Sequence, residues 1–292
     1  MLGVIGDLVQ DVVVWQQEPQ RKATDTRSDI AMRRGGSAAN VAAFAGPRHP
    51  TRFIGCVGDD LGGHVLRQEL TERGVDVRLQ VRGTTGMIVL LIDDVGERTM
   101  FPSRGASARL ERIDPAWLEG LDVLHVTAYS FESGTTVEAV LDAVARQHEA
   151  GGLVSMDVSS TGMIRHCGTD AFLSLVERVR PAFVSANEDE CRLLGLADAG
   201  APGPALARFP GAVLLARRGS HATTVVREGR VLAEVPVPPV EHVRDLTGAG
   251  DAFNAGFLTT YLTTGGDLQR SVEAGHALAA RVLGSAGATE PG

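Results

Sequence analysis

Residues 245–257 read DLTGAGDAFNAGF, a run of small residues that gives way to good helix formers over 252–264. Gly248, Ala249 and Gly250 therefore fall where the first N–H groups of a helix have no acceptor inside it. Glycines let an anion approach those amides, and the helix dipole adds positive potential there. The segment can hold a phosphate, or the negative charge that develops when a phosphoryl group is transferred. Asp251, in the first turn, has two readings on spacing alone: a helix-capping acid, or a base that takes the proton of a hydroxyl attacking phosphorus. Residues 35–44 read GGSAANVAAF, a glycine turn feeding an alanine-rich helix. Asn40 lies about one turn in, where its amide can donate to and accept from sugar hydroxyls. Tight helix packing that demands small residues is the other reading of this segment.

Both segments need a frame to hold them. Short runs rich in Val, Leu and Ile at 2–8, 52–57, 123–127, 153–158, 182–185 and 212–216 alternate with stretches at 61–73, 137–149, 171–179 and 188–194 that carry apolar residues at spacings of three and four. The alternation predicts an α/β fold, a mostly parallel central sheet covered by helices on both faces. Two segments interrupt it. Residues 12–32 turn polar and charged after the first three, and 85–103 reads as strands at 87–92 and 98–101 joined by Asp93, Asp94, Val95, Gly96 and Glu97, with Gly96 supplying the awkward backbone angle. The two are expected to pair into a small β layer projecting from the main sheet, the alternative being two surface excursions that never meet. A further hairpin is expected at 222–227 and 230–235 around Glu228 and Gly229, and a loop at 200–204.

With 292 residues, 43% of them hydrophobic, the chain can bury a core several layers thick in one large domain. A formal net charge of −8 gives no footprint for nucleic acid or an anionic membrane surface. Lys22 is the single lysine among 28 basic side chains, and neither a P-loop nor the lysine-dependent protein-kinase pattern occurs. No G-x-G-x-x-G follows residues 2–8, which disfavours a dinucleotide-binding dehydrogenase. Cys56, Cys167 and Cys191 are odd in number and far apart, against a disulfide scaffold or structural zinc. An acid at Asp7 and the lack of any run approaching about 18 apolar residues lead to the expectation of a cytoplasmic protein. The three asparagines, Asn40, Asn187 and Asn254, each fall in a segment of interest.

Taken together, Gly35 and Gly36 through Asn40 resemble the N-terminal signature of the ribokinase-like (PfkB-type) carbohydrate kinases, and 245–256 resembles their C-terminal signature D-[ST]-T-G-A-G-D-x-F-x-x-G. Other family-like features run nearly end to end: Gly6 with Asp11, residues 57–62, residues 96–99, Asp157, the N-x-x-E of Asn187 and Glu190, the R-R-G of 217–219, His276, and Gly287 with Ala288. The resemblance implies a single ribokinase-like α/β domain over 1–292, with a small β-sheet lid from about 12–30 and 82–104. It implies ATP-dependent phosphorylation of a hydroxymethyl group on a small sugar or sugar derivative. Asp11, Gly35, Gly36 and Asn40 would bind substrate hydroxyls, Asp251 would act as general base, and Gly248, Ala249, Gly250 and Asp251 would form the anion hole. Asn187 and Glu190 would hold Mg2+ through water beside the ATP phosphates, with Arg217, Gly219, Gly250 and His276 along the nucleotide. His276 reads equally as a packed helix histidine; for Glu190 the alternative to the Mg2+ role is an exposed helix-start acid. A monovalent cation such as K+ would bind through Asp245, the Thr247 carbonyl and carbonyls near Gly287.

The chain departs from the family pattern at several positions. Leu246 replaces a Ser or Thr, Ala222 and Ala128 stand where Gly is common, and Tyr129 falls near the place of the glutamate by which ribokinases proper hold ribose. Arg104, in the lid-end sequence 103–107, resembles the arginine of sugar-acid kinases that would pair with a substrate carboxylate, with a solvated arginine as the alternative. The other readings are a nucleoside kinase of the same family, for which Trp15 and Phe101 are the lid aromatics placed to stack on a base, and a non-catalytic sugar- or nucleotide-binding regulator. A homodimer formed through the lid is also expected.

Overall fold

The computed structural model describes residues 1–290 apart from Gly96, Ser133 and Ala286, so the turn role given to Gly96 lies outside the described residues. The chain runs through β1 (Leu2–Ile5), β2 (Val9–Gln16), β3 (Ser28–Gly35), α1 (Ser37–Ala45), β4 (Thr51–Val57), α2 (Leu61–Glu72) and β5 (Val75–Val81). It continues through β6 (Gly86–Ile92), β7 (Arg98–Ser103), β8 (Val123–Thr127), α3 (Gly134–Glu149), β9 (Leu153–Asp157), α4 (Thr161–Cys167), α5 (Thr169–Val179), β10 (Phe183–Asn187) and α6 (Glu188–Leu194). A short ribbon of β11 (Ala197–Asp198) and β12 (Ala201–Pro202) precedes β13 (Val213–Arg218), β14 (His221–Arg227), β15 (Arg230–Val235), α7 (Ala249–Thr264) and α8 (Leu268–Leu283).

The central sheet has nine strands in the order β15-β14-β13-β10-β9-β8-β1-β4-β5. From β13 to β5 every pairing is parallel, and the β14–β15 hairpin adds two antiparallel strands at one edge. Side chains alternate between two cores. Leu2, Val4, Val123, Phe183, Val213 and Leu215 pack with α1, α2, α7 and α8. Ile5, Leu124, Val126, Val184, Leu214 and Ala216 pack with α3, α5 and α6 on the other face. Burial on both faces is why these strands read as continuous apolar runs, each large side chain contributing about 1.5–3 kcal/mol by leaving water.

The two polar excursions do meet. A four-stranded sheet, β3-β2-β6-β7, forms with β2 and β6 parallel and Asp11 opposite Ile88. Val9, Val13, Ile88 and Leu90 are buried on its inner face. The expected strand at 2–8 stops at Ile5, because Gly6 takes a φ of 151° and Asp7 turns to the start of α1. Several elements went unread in the sequence: the short helix α4 and the β11–β12 ribbon, of which β12 falls in the expected loop at 200–204; β5, an edge strand in which Asp76, Arg78 and Gln80 interrupt the apolar run; and α8, whose apolar stripe is diluted by Ala and Gly.

Helices α7 and α8 approach closely at two glycines. A Cβ on Gly256, the last residue of the 245–256 motif, would sit 2.6 Å from the Ala274 carbonyl oxygen, and one on Gly275 would sit 2.8 Å from the Phe253 ring. The motif's final glycine thus serves packing behind the helix start. Gly256→Ala should overpack this contact, destabilise the protein by about 1–3 kcal/mol and lower its thermal midpoint by several degrees. An unchanged midpoint in a thermal melt would show that α8 yields freely there.

Candidate active site

Helix α7 begins behind Gly248, a left-handed residue (φ 80°) with no side-chain cap; a Cβ there would meet Ala288 at 2.5 Å. The Ala249 N–H turns back to the Leu246 carbonyl at 3.3 Å, so the uncapped start of α7 presents the Gly250 and Asp251 amides and the positive end of the helix dipole. Asp251 does not cap this end. Its carboxylate accepts from Ser37 Oγ (2.6 Å) and Asn40 Nδ2 (2.9 Å), both from α1. Burial of its surroundings pushes the Asp251 carboxyl up to about 7; the Ser37 and Asn40 hydrogen bonds oppose this, and Asp157 and Asp7 add to it. The residue keeps a partly open surface toward the cleft.

The start of α1 is fixed by Asp7, whose carboxylate accepts from the Ser37 N–H (3.2 Å) and the Ala38 N–H (3.1 Å). Gly36 has φ 96° and no room for a Cβ against the Asp7 carbonyl, and a Cβ on Gly35 would overlap the Asp11 carboxylate. Asp11 is pushed up to about 7 by burial and by Asp7, against the pull of Arg34 and Arg104. Its Oδ1 and the Asn40 Oδ1 are buried acceptors without a hydrogen-bond partner among the described residues. Asp11, Gly35, Gly36, Asn40 and Asp251 thus share one floor, offering acceptors to hydroxyl groups beneath the small sheet.

On the other side of the α7 start lies a cavity of about 590 Å3 lined by Asn187, Arg217, Gly219, Gly250 and His276. Its remaining wall is apolar, with Val237, Pro238, Val240, Phe253 and Leu283, a lining suited to a flat heterocycle with a few orienting polar groups. His276 is buried and bonded to Thr223 Oγ1 (2.8 Å), and burial lowers its pKa, so it is at once a packed histidine and a cavity wall. Leu246 is 70% exposed and also lines this cavity. Arg217 lies along the first turn of α7, with Nη2 3.4 Å from Asp157 Oδ1 and its guanidinium 5.7 Å from the Phe253 ring centre.

Glu190 is buried, which corrects the exposed-acid reading. It forms a capping box with Asn187 and accepts from the Asn187 N–H (2.8 Å) and the Ser160 N–H (2.9 Å). Burial first and Asp157 second raise its pKa. Two carboxylates in such proximity, with their inner lone pairs already committed to N–H donors, fit a hydrated Mg2+ held through water.

Three other expectations change. Arg104 is not solvated: it pairs with Glu132 at 2.8 Å, lies 3.9 Å from Asp7 and stacks 4.9 Å from the Tyr129 ring centre. Phe101 pairs across from Val89 on the outer face of the small sheet and is 55% exposed, whereas Trp15 lines the cleft. Asp245 has both oxygens engaged by Thr247, Gly287 and Arg98. Sequence reasoning missed Asp7 and Ser37 as site residues, whereas Glu132 ends the loop at 127–132 in which substrate specificity is expected to lie. Ser37, three residues before Asn40 and hence on the same helix face, carried the one usable signal.

The chain matches the pfkB family of carbohydrate kinases over residues 1–291. It belongs to that family. It is 32% identical to an ATP-dependent ribose-1-phosphate kinase of Halopiger xanaduensis over 270 residues, 87% of this chain and 81% of that protein. It is also 32% identical to a fructokinase of Klebsiella pneumoniae over 276 residues, 87% and 82% of the two chains. In fold it is similar to an adenosine kinase from Sinorhizobium meliloti, with a TM-score of 0.84 at 22% identity over 99% of this chain and 95% of that one. The pfkB chain is therefore a sugar or nucleoside kinase. Among the described residues no helix is long and apolar enough to cross a membrane.

A carboxyl raised from its ordinary 3.8 to about 7 binds a proton in the folded chain that the unfolded chain releases, so this contribution to stability is complete below about pH 4 and is lost as pH rises toward 7. Asp251→Asn should therefore melt several degrees above wild type at pH 8 and close to it at pH 4.5. Equal differences at both pH values would contradict the raised carboxyl.

Proposed function

We propose that this kinase transfers the γ-phosphoryl group of ATP to a hydroxymethyl group of a small sugar or sugar derivative, with Asp251 as general base. The observation that carries the reading is the desolvated Asp251 carboxyl beside the uncapped start of α7, held by Ser37 and Asn40 with its pKa near 7. A carboxylate of that basicity takes a hydroxyl proton more readily than an ordinary one, and with a pKa near 7 a large part of it is still ionised at neutral pH. Asp11, Asn40 and the backbone of Gly35 and Gly36 orient the other hydroxyls, and the Arg104–Glu132 pair over Tyr129 meets the far end of the sugar. The Gly248 to Asp251 turn stabilises charge on the transferring group, and Arg217 beside Gly250 supplies the nearest fixed positive charge.

Adenine suits the apolar cavity under Thr223 and His276, with the phosphates directed along Gly219 and Arg217 toward Gly250. Mg2+, carried with ATP and held through water by Asn187 and Glu190, would neutralise charge on the phosphates. The small sheet acts as a lid, from about 12–30 and 82–104, that keeps water from the reaction. Trp15 on its inner face favours a second reading, a nucleoside as acceptor stacked on the indole. Because the proposed reaction consumes ATP, the protein is proposed to work in the cytoplasm.

The outer face of the lid carries Ile30 and Met32, each about two-thirds exposed, beside Met87 and Phe101. Cross-strand pairing puts these on one side with Val12 and Val89, an apolar surface that a second copy would cover. The protein is proposed to be a homodimer through this face.

A panel of sugars, sugar acids and nucleosides with Mg-ATP should give ADP well above the ATPase background for at least one sugar; preference for a nucleoside over every sugar would favour the second reading, and no acceptor at all would remove the first. Asp251→Asn should retain ATP affinity by calorimetry and lose about 10²-fold or more in turnover, and near-full turnover in the folded variant would contradict the base. Ile30→Asp with Met32→Asp should convert the dimer to a monomer in light scattering; a wild-type monomer at micromolar concentration would defeat the dimer claim.

A further inference from the structure

Arg98 begins β7, on the segment that follows the turn at the tip of the small sheet, and its Nη2 donates to Asp245 Oδ1 at 3.1 Å. The same oxygen accepts from the Thr247 N–H (2.9 Å) and Thr247 Oγ1 (2.8 Å), and Oδ2 accepts from the Gly287 N–H (2.9 Å). One carboxylate thus ties together the loop that enters α7, the loop that leaves α8, and the small sheet. The two loops also touch where Gly248 meets Ala288, so the position of Asp245 sets the back of the anion-binding turn. Burial would raise the Asp245 pKa, but the donors from Thr247 and Gly287 and the charge of Arg98 hold it below the ordinary carboxylate range.

The family resemblance leads to the expectation of a monovalent cation at this point. The described residues do not fit one. Both carboxylate oxygens face N–H, O–H or guanidinium donors, and an ion there would meet the positive charge of Arg98, with Arg33 beside Gly287 and Arg34 donating to the Ala288 carbonyl (3.1 Å). We infer that Arg98 is a positioning residue that takes the place of a monovalent cation, balancing Asp245 and fixing the anion-binding turn only while the small sheet is seated over the site. Arg98 is 44% exposed, so the pair adds little to global stability, and its effect is on geometry.

The catalytic consequence rests on the kinase reading, and the test separates the two. Wild-type turnover in KCl and in choline chloride at equal ionic strength, about 0.1 M, should agree within about twofold. Arg98→Ala in choline chloride should lose about 10- to 100-fold in kcat with little change in the KM for ATP, KCl should restore most of it, and Arg98→Lys should keep most of the wild-type rate without KCl. A wild-type enzyme that fails in choline chloride overturns the inference, as does an Arg98→Ala deficit that KCl leaves in place. If no acceptor is turned over by the wild type in either salt, it is the kinase reading that fails, and thermal melts then decide the inference alone. Although the ion pair itself adds little, K+ binding only to the folded variant stabilises it by mass action, so KCl should raise the midpoint of Arg98→Ala over that in choline chloride and leave wild type unmoved; a midpoint raised in the wild type, or unmoved in the variant, overturns it.

Discussion

The desolvation of one carboxylate at the start of α7 constrains most of the molecule. Asp251 can sit there only if the helix end carries no competing cap, if α1 comes close enough to offer Ser37 and Asn40, and if the glycine turn at 35–36 leaves the substrate side open. The close approach of α1 to α7 explains the small residues on both: Ala38, Ala39, Ala42 and Ala43 on one helix and Ala252 and Ala255 on the other are fully buried. Burial that stabilises these helices is the same burial that raises the Asp251 carboxyl toward neutrality, so packing and chemistry share one cause.

Beneath α7 the parallel sheet carries a polar floor on an otherwise apolar face. Asp157 accepts from Asn254 and pairs with Arg217, and His125 and Ser155 bond to each other two residues back along the β8–β9 register, on the same face. Burial holds His125 neutral, its pKa lowered to about 4, so the negative charge near the helix start comes from Asp157, Glu190 and Asp251. These acids face the side where phosphates and a hydrated cation would lie, and Arg217 offsets them. The arrangement keeps the fixed charges in place before substrate arrives, which is how a preorganised site avoids reorganisation during transfer.

Much of this architecture is legible in the chain because it depends on short-range rules. The parallel strands are buried on both faces and read as unbroken apolar runs, and the turn at 245–251 needs small residues at fixed spacing to open a helix end. What escaped depends on partners far away in sequence. Asp7 looks like a loop acid until α1 is seen to start on it, and the loop at 127–132 does not by itself show that Glu132 pairs with Arg104. The N-x-x-E spacing singles out Glu190, but nothing local reveals the Ser160 amide, thirty residues earlier, that donates to its carboxylate. Phe101 and Trp15 look alike as lid aromatics, and only strand register puts one outside and one inside.

The central claim, a base at Asp251 with a carboxyl near neutrality, is tested most directly by the pH dependence of kcat/KM from pH 5 to 9 at saturating Mg-ATP, with nucleotide binding measured in parallel by calorimetry. The account predicts a tenfold loss per pH unit below about 7, since the carboxylate must be free to take the proton, and a residual rate in Asp251→Asn that lacks this limb. A wild-type profile that stays flat through pH 5, or an identical limb in the variant, would contradict it.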